Sequence, residues 1–192
     1  MYTETTFIKS ICYTKKLFYK NIEICFIGRS NSGKSSAINA LINKKISFTS
    51  KIPGKTKCIN IFKIKKDYYL TDTPGYGYAK TNKKNLFNIN YLIENYIKNK
   101  KNLTCIILLI DSKVYLKNID YNFLKINKKN IIHILFTKTD KLSKNEQNKI
   151  SKTLKKIKQN SIKKNITYQQ FTIKKKIYIN ILKIKIKQFI CL

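Results

Sequence analysis

The sequence predicts an α/β protein with a mostly parallel six-stranded sheet and helices on both faces. Three observations predict this class: short apolar runs alternate with helix-like stretches, one of these runs is continuously apolar from Cys105 to Ile110, and loop motifs directly follow several of them. A continuous apolar run is typical of a strand buried on both faces of a parallel sheet. We expect one domain over residues 1–192, with residues 1–20 as an N-terminal extension that packs on it.

The predicted elements follow in order along the chain. Strands are expected at residues 22–27, 59–64, 68–71, 103–110 and 131–136, and helices at residues 35–43, 85–98, 116–126 and 143–159. Ser143, with Glu146 three residues on, is the expected N-cap of the last of these helices. The C-terminal stretch 179–189 fits both a strand alternation and one helix face, and the preceding βα pattern favours the helix.

The composition is strongly basic, with a formal net charge of +32, and 43% of the residues are apolar. This apolar content excludes a disordered chain. The charge has two explanations. One is a polyanionic partner such as ribosomal RNA, which a basic surface binds with release of counterions. The other is a codon bias towards A and T, since Lys, Ile, Asn and Tyr are all abundant. Residues 147–192 carry thirteen lysines and no acid, which favours genuine basicity.

The five cysteines show neither metal-ligand nor redox spacing. Cys25 and Cys105 lie in apolar strands, where a reduced cysteine is a small hydrophobic residue. We therefore expect a reducing compartment and a cytoplasmic protein. The longest apolar run is far shorter than the ~18 residues of a membrane span, so no membrane association is expected.

The first motif is a phosphate-binding loop. It reads Gly28-Arg29-Ser30-Asn31-Ser32-Gly33-Lys34-Ser35 and matches G-x-x-x-x-G-K-[ST] at every fixed position. Its backbone N–H groups would wrap a phosphate, and side chains on the glycines would obstruct the turn. We expect Lys34 to reach the β- and γ-phosphates and the Ser35 hydroxyl to hold Mg²⁺. The following helix offers its N-terminus to the same anion.

The second motif is Asp72-Thr73-Pro74-Gly75, directly after the strand at 68–71. A carboxylate at this strand end is suited to hold a water on Mg²⁺ opposite Ser35. The Gly75 N–H is then suited to contact the γ-phosphate and sense its presence. Alone the motif is an ordinary turn, and its place behind the phosphate loop makes it specific.

The third motif, Thr137-Lys138-Thr139-Asp140, follows the strand at 131–136. The Asp140 carboxylate is suited to accept hydrogen bonds from the ring N–H and the exocyclic amine of guanine. Adenine lacks that pair of donors, so unpaired groups would penalise it. The Lys138 stem is expected to lie across the base. The three motifs together predict a GTP-binding protein.

With the motifs in place, the chain resembles the TRAFAC-class GTPases, which have a Ras-like fold, and more narrowly the EngB family of ribosome-biogenesis GTPases. The resemblance extends from about Phe7 onward in motif order and spacing. It is carried by the three motifs, by Pro53-Gly54-Lys55-Thr56, and by Pro74-Gly75-Tyr76-Gly77-Tyr78-Ala79. Thr73 stands where the family more usually has leucine.

The resemblance implies further roles for named residues. Thr56 would close on Mg²⁺ and the γ-phosphate, and a switch I contact with the nucleotide would be formed by Gly54, Lys55, Thr56, Lys57 and Cys58. Asn31 resembles a P-loop asparagine associated with K⁺-assisted GTPases, and it equally fits a residue that tolerates the loop's backbone. The final nucleotide loop is reduced to Phe171-Thr172-Ile173. The implied partner is the large ribosomal subunit or its precursor, bound by a monomer, with no DNA partner.

The expected reaction is hydrolysis of GTP to GDP and phosphate, with Lys34, Thr56 and Gly75 as the catalytic residues. Tyr76 occupies the position of the water-orienting glutamine of Ras-like proteins, so we expect slow hydrolysis unless an ion or a partner assists. Two alternatives stay open at this point: a P-loop small-molecule kinase, and an RNA-binding scaffold that does not hydrolyse GTP. His133, in an apolar strand, is expected to be a core histidine.

Overall fold

The computed structural model describes residues 2, 4–12, 22–47, 58–65, 68–77, 83–100, 102–127, 130–150, 152 and 165–191, apart from the side chains of residues 83–86. Within this part of the chain, seven strands form one sheet in the order β1-β3-β4-β2-β5-β6-β7. They are β1 (Thr6–Ile11), β2 (Ile22–Gly28), β3 (Ile59–Lys65), β4 (Tyr68–Asp72), β5 (Leu103–Asp111), β6 (Ile131–Thr137) and β7 (Ile166–Gln170). The five strands from β4 to β7 in this order pair in parallel, whereas β3 and β1 extend the sheet in antiparallel fashion.

Helices cover both faces of the sheet. They are α1 (Lys34–Ile42), α2 (Lys83–Asn99), α3 (Asn118–Ile126), α4 (residues 144–150) and α5 (Lys176–Ile190). The helices α1 and α5 enclose one apolar core, and α2, α3 and α4 enclose a second core on the other face. Strand β5 serves both cores because successive side chains alternate, so Ile107 and Leu108 belong to different ones. Among the described segments, no helix combines the length and apolarity that a membrane crossing needs.

The predicted fold class is confirmed, with one strand more than the six expected. Two strands lie outside the five predicted ranges: β7 at Ile166–Gln170, and the edge strand β1, which pairs with β3 from Thr6 opposite Lys63 to Ile11 opposite Ile59. The pattern of β1 is hard to recognise because the strand lies at the sheet edge and leaves Phe7 exposed. The assignment of the whole chain to one domain stays a prediction.

The ambiguous C-terminus is a helix, as predicted. Leu182 and Ile186 are one helical turn apart and fully buried, which a strand alternation would not require. The helix expected over residues 143–159 begins with the predicted cap: the Ser143 N–H donates to the Glu146 carboxylate at 2.8 Å, and the Glu146 N–H donates to the Ser143 hydroxyl at 3.3 Å. Most of that helix beyond residue 150 lies outside the described residues.

The cysteines depart from the expectation. The structure joins Cys12 and Cys58 in a disulfide with their Cα atoms 4.3 Å apart. These residues adjoin the Ile11–Ile59 pair of the β1–β3 ladder, so the register brings them together across a separation of 46 residues. The expectation that the cysteines are reduced is therefore wrong for this pair. Cys25 and Cys105 are free and buried, as expected.

Candidate functional site

The predicted motifs meet at one edge of the sheet, where the carboxyl ends of the parallel strands lie together. The loop at 28–35 follows β2, the segment 72–75 ends β4, residues 137–140 end β6, and residues 171–173 follow β7. Ligands of open α/β sheets bind outside these strand ends. The parallel register therefore turns four separate sequence segments into one site.

Glycines in the loop after β2 are required by close contacts and by backbone conformation. A Cβ on Gly28 would lie 2.5 Å from the Leu109 carbonyl oxygen, and Gly33 has a φ of +94° that favours glycine. Asn31 also has a positive φ, of 61°, a conformation that asparagine tolerates better than most residues. The backbone conformation is therefore one reason for asparagine at position 31, and the K⁺ role stays a prediction.

Lys34 is folded over the loop that it follows. Its ammonium donates to the carbonyl oxygens of Gly28 and Arg29, each at 2.9 Å. Burial lowers the pKa of Lys34 to about 8, while the negative charge of Asp72 acts in the opposite direction. A buried cation above phosphate-binding N–H groups is well placed to meet a triphosphate, whose charge would favour the protonated amine.

The residues expected around Mg²⁺ come together in the structure. The Ser35 hydroxyl donates to the Asp72 carboxylate at 2.8 Å, and the Ser47 hydroxyl donates to the same oxygen at 2.6 Å. The second carboxylate oxygen of Asp72 is buried and has no hydrogen-bond partner among the described residues. Burial raises the pKa of Asp72, so a cation here would relieve an unfavourable buried charge. Oxygen ligands of this kind fit Mg²⁺, which Ser35 would bind directly and Asp72 through water.

Ser47 was not predicted from the sequence. Asn39 of α1 fixes it, since the Asn39 carboxamide accepts from the Ser47 N–H and donates to the Ser47 carbonyl, both at 2.8 Å. No local pattern marks this residue, because its partner Asp72 lies 25 positions away. The remaining expected metal ligand, Thr56, lies outside the described residues together with Gly54, Lys55 and Lys57. Cys58 is in the disulfide, and its contact with nucleotide stays a prediction.

The segment after β4 is fastened to the phosphate loop. Both the N–H and the hydroxyl of Thr73 donate to the Phe26 carbonyl, at 3.2 Å and 2.9 Å. A Cβ on Gly75 would lie 2.5 Å from the Ser30 Cα, so only glycine permits this approach. Pro74 lies between these two anchored positions. The segment therefore places the Gly75 backbone against the loop that would hold the phosphates.

The predicted base-recognition motif contacts the same loop from the other side. The Thr137 hydroxyl donates to the Ser32 carbonyl at 2.7 Å. The Lys138 ammonium donates to the Asn31 carbonyl at 2.8 Å and to the Asp111 carboxylate at 2.6 Å. Lys138 also has a positive φ of 60°. Thr137 and Lys138 thus connect the end of β6 to the phosphate loop.

The last predicted segment lies directly beside Asp140. The Phe171 carbonyl accepts from the N–H and the hydroxyl of Thr139 at 3.3 Å and 3.1 Å, and Thr172 hydrogen-bonds the Asp140 side chain. Ile173 is exposed. Lys174, which sequence reasoning missed, forms an ion pair with Asp140 at 2.9 Å. This hydrogen-bonded pairing is the main reason that the pKa of Asp140 is below its usual range, so the carboxylate is ionised and able to accept from guanine.

Asp120 on α3 is a further residue that the sequence did not single out. Its buried carboxylate accepts from the Tyr76 hydroxyl at 2.6 Å and lies 3.5 Å from the Arg29 Nε. The guanidinium of Arg29 also donates to the Tyr115 carbonyl at 2.6 Å. The Arg29 side chain is thus engaged with α3 and the turn before it, and the expected contact of Arg29 with nucleotide stays a prediction.

This site defines a class of protein: a Ras-like P-loop GTPase, in which a phosphate loop, a magnesium site and an aspartate for the base share one sheet edge. Comparison with known proteins identifies the family. The family described as 50S ribosome-binding GTPase matches residues 23–170. A probable GTP-binding protein EngB of Mycoplasmopsis synoviae (strain 53) is 44% identical over 152 residues, with 78% of this chain and 81% of the relative covered.

The corresponding protein of Neisseria gonorrhoeae (strain NCCP11945), also described as probable GTP-binding protein EngB, is 37% identical over 180 residues and covers 92% of this chain and 86% of its own length. The chain belongs to the EngB family of GTP-binding proteins. As a member it is a GTPase that uses GTP and GDP with Mg²⁺, and the small-molecule kinase alternative is set aside.

Solved structures agree with this family. A crystal structure of a probable GTP-binding protein engB has a TM-score of 0.66 and 25% identity, covering 88% of this chain and 98% of its own. A structure of Era, in complex with MgGDPNP and nucleotides of 16S ribosomal RNA, has a TM-score of 0.61 at 19% identity and covers 90% of this chain and 57% of its own. The second comparison supports the fold alone.

Proposed function

We propose that this chain is a slow GTPase switch that acts during assembly of the large ribosomal subunit. The observation that carries the slow rate is the placement of Tyr76, which occupies the position directly after Gly75. Its side chain is buried and its hydroxyl donates to Asp120. A phenol held in this way is not available to orient the attacking water, so acceleration would depend on an ion or a partner.

The chemistry that remains is positioning and charge neutralisation. Mg²⁺ would neutralise charge on the phosphates, with Ser35 and Asp72 in its site. Lys34 supplies a buried positive charge above the phosphate loop, and Gly75 supplies a backbone N–H on the γ-phosphate side. These contributions stabilise charge in the transition state without a side-chain base. Thr56 completes the proposed catalytic set.

Ribosomal RNA is the proposed partner, and the basic charge supports it. The described part of the C-terminal region from residue 165 contains lysines and no acidic residue, and several of its lysines are exposed on and before α5, among them Lys175, Lys176 and Lys187. Such a surface binds phosphates with a steep dependence on salt. The protein is proposed to act as a monomer, with no membrane and no DNA as partner.

Phosphate release measured in K⁺ and in Na⁺, with and without large-subunit particles, tests the proposal. We expect slow release by the protein alone and faster release with particles. Faster release in K⁺ than in Na⁺ would support an ion beside Asn31, and equal rates would leave its backbone conformation as the whole explanation. Release at background in every condition would contradict the proposal and favour an RNA-binding scaffold.

Base recognition is tested by Asp140→Asn. The change replaces an acceptor with an amide that presents a donor to the guanine amine, so we expect affinity for GDP to fall by roughly a hundredfold. Fluorescent GDP titration measures it, and Glu146→Gln, a surface carboxylate that caps α4, is the matched control. An unchanged preference for GDP over ADP in Asp140→Asn would refute the assignment of Asp140.

The proposed location is the cytoplasm, as expected of a protein that meets ribosomal precursors and supported by the bacterial relatives. The Cys12–Cys58 disulfide points the other way, because cytosolic proteins rarely retain disulfides. Alkylation of thiols during lysis, followed by mass analysis, decides the matter. Labelling of both cysteines would support the cytoplasmic proposal, and protection of both, as in the disulfide of the structure, would contradict it.

A further inference from the structure

The buried carboxylate of Asp120 contacts three segments that are far apart in the sequence. Asp120 is 0% exposed, and its two oxygens receive different partners. One accepts from the Tyr76 hydroxyl at 2.6 Å. The other oxygen accepts from the N–H of Lys117, the N-cap residue of α3, at 2.7 Å. The same oxygen lies 3.5 Å from the Arg29 Nε. The carboxylate thus contacts the phosphate loop, the segment after β4 and α3.

The backbone reinforces the same junction. Arg29 and Tyr76 form an isolated parallel β-bridge, and the Ser30 N–H donates to the Tyr76 carbonyl at 3.2 Å. The Tyr76 ring stacks on Phe123 of α3, with the ring centroids 6.2 Å apart. Tyr76 is therefore held by its hydroxyl, its ring and its backbone.

These contacts determine where Gly75 lies. Gly75 directly precedes Tyr76, and its backbone packs so closely on Ser30 that a Cβ would lie 2.5 Å from the Ser30 Cα. The position of the Gly75 N–H therefore depends on how firmly Tyr76 is fixed. In the proposed function this N–H contacts the γ-phosphate, which GTP has and GDP lacks.

We propose that Asp120 is a positioning residue for GTP: through Tyr76 and Arg29 it holds the Gly75 N–H at the γ-phosphate, and so sets the preference for GTP over GDP and the hydrolysis rate. The inference rests on the proposed role of Gly75. Asp120 itself has no contact with nucleotide in this scheme. Its effect is confined to the state in which the γ-phosphate is present.

The decisive variant is Tyr76→Phe, which keeps the ring and its stacking and removes only the hydroxyl bonded to Asp120. We expect affinity for a non-hydrolysable GTP analogue to fall roughly tenfold, as the loss of a charge-assisted hydrogen bond would produce, with GDP affinity unchanged within about twofold. The single-turnover hydrolysis rate should fall in parallel. Asp120→Asn should also lower the ratio of GTP-analogue affinity to GDP affinity, because it removes the charge that attracts Arg29.

Tyr96→Phe is the matched control. Tyr96 is also a buried tyrosine whose hydroxyl donates to a buried carboxylate, that of Glu23, at the opposite edge of the sheet. A purely structural role of Tyr76 would make the two phenylalanine variants alike: both less stable, both with the wild-type ratio of analogue to GDP affinity. That result, or an equal change of the ratio in Tyr96→Phe, would overturn the proposal.

A comparison of the wild type with Gly75→Ala keeps this test separate from that of the proposed function. If Gly75→Ala binds the GTP analogue as tightly as the wild type does, the assumed role of Gly75 fails, and the proposal for Asp120 fails with it. If Gly75→Ala weakens the analogue and Tyr76→Phe does not, the proposal for Asp120 alone is refuted.

Discussion

Two buried clusters with the same kinds of charged and phenolic groups lie at opposite ends of the strands. At the carboxyl edge, Asp120 binds Tyr76 and Arg29. At the amino edge, the Glu23 carboxylate accepts from the Tyr96 hydroxyl, and the Lys100 ammonium lies 2.7 Å from its other oxygen. Each cluster therefore combines a buried carboxylate, a buried phenol and a cation.

The clusters differ in the elements that supply their members. The Glu23 cluster joins β2, β4 and the end of α2, and the Thr71 hydroxyl of β4 completes it at 2.6 Å from Glu23. The Asp120 cluster draws Arg29 and Tyr76 from loops that follow strands. A cluster fixed by regular elements contributes stability, whereas one that fixes loops also sets the position of whatever those loops bind. The chemistry of a buried ion pair thus does not reveal its role, and its location does.

The largest expected effect comes from breaking the amino-edge cluster with Glu23→Ala. The change leaves the buried Lys100 ammonium without its carboxylate, so we expect a loss of about 3–5 kcal/mol in the free energy of unfolding. Urea denaturation measures this loss. The ratio of GTP-analogue to GDP affinity should stay at its wild-type value. A large change in that ratio would break the distinction between the two edges.

The next largest loss of stability is expected outside both clusters, from removing the disulfide that attaches the end of β1. The Cys12–Cys58 disulfide closes a loop over a separation of 46 residues, so Cys12→Ser should lower the free energy of unfolding by about 2–4 kcal/mol. Denaturation with and without a reducing agent measures it. The reducing agent should destabilise the wild type and leave Cys12→Ser unchanged, and equal responses of the two proteins would contradict the prediction.

His133, a buried residue outside both clusters, should make the stability of the protein depend on pH. Burial lowers the pKa of His133 to about 4, with Lys185 acting in the same direction and a hydrogen bond from the imidazole to the Gln169 side-chain oxygen opposing it. Below its ordinary pKa of about 6.5 the unfolded chain binds a proton that the folded protein does not. Stability should therefore fall by up to about 3 kcal/mol as the pH decreases from about 6.5 to about 4.

The expected pH dependence is measured by urea denaturation at several pH values in the wild type and in His133→Gln. The difference between the two proteins isolates His133 from the carboxylates that titrate in the same range. A parallel decline in both would contradict the prediction. As the sequence predicted, His133 is fully buried in the core.

The smallest expected effect is the stability change of the two phenylalanine variants. Tyr96→Phe and Tyr76→Phe each remove one buried hydroxyl from a carboxylate, so each should cost about 1–3 kcal/mol of unfolding free energy. Calorimetry or urea denaturation measures both. Similar losses of stability combined with different nucleotide preferences would sharpen the comparison, and a stability loss in Tyr76→Phe alone would weaken it.

The strands and helices were largely predictable, because apolar periodicity and buried runs are properties of short segments. Strand β5 was recognised from a continuous apolar run. Helix α5 was chosen over a strand because of the preceding βα alternation, since its residues fitted both patterns. The edge strand β1 was missed, since an edge strand with Phe7 exposed does not show the pattern of a buried one. Three residues of the site were missed because no motif contains them and their partners are distant in sequence. They are Ser47, Lys174 and Asp120.

By itself the sequence determined the nucleotide site, since a phosphate loop is made of consecutive backbone groups and its glycine and lysine positions are a local requirement. Only the tertiary structure decided the side-chain pairs that lie outside those motifs: Tyr76 with Asp120 across 44 positions, and Cys12 with Cys58 across 46. The physical reason is that strand register and helix packing place distant side chains next to each other. No short-range pattern in the chain encodes those distances.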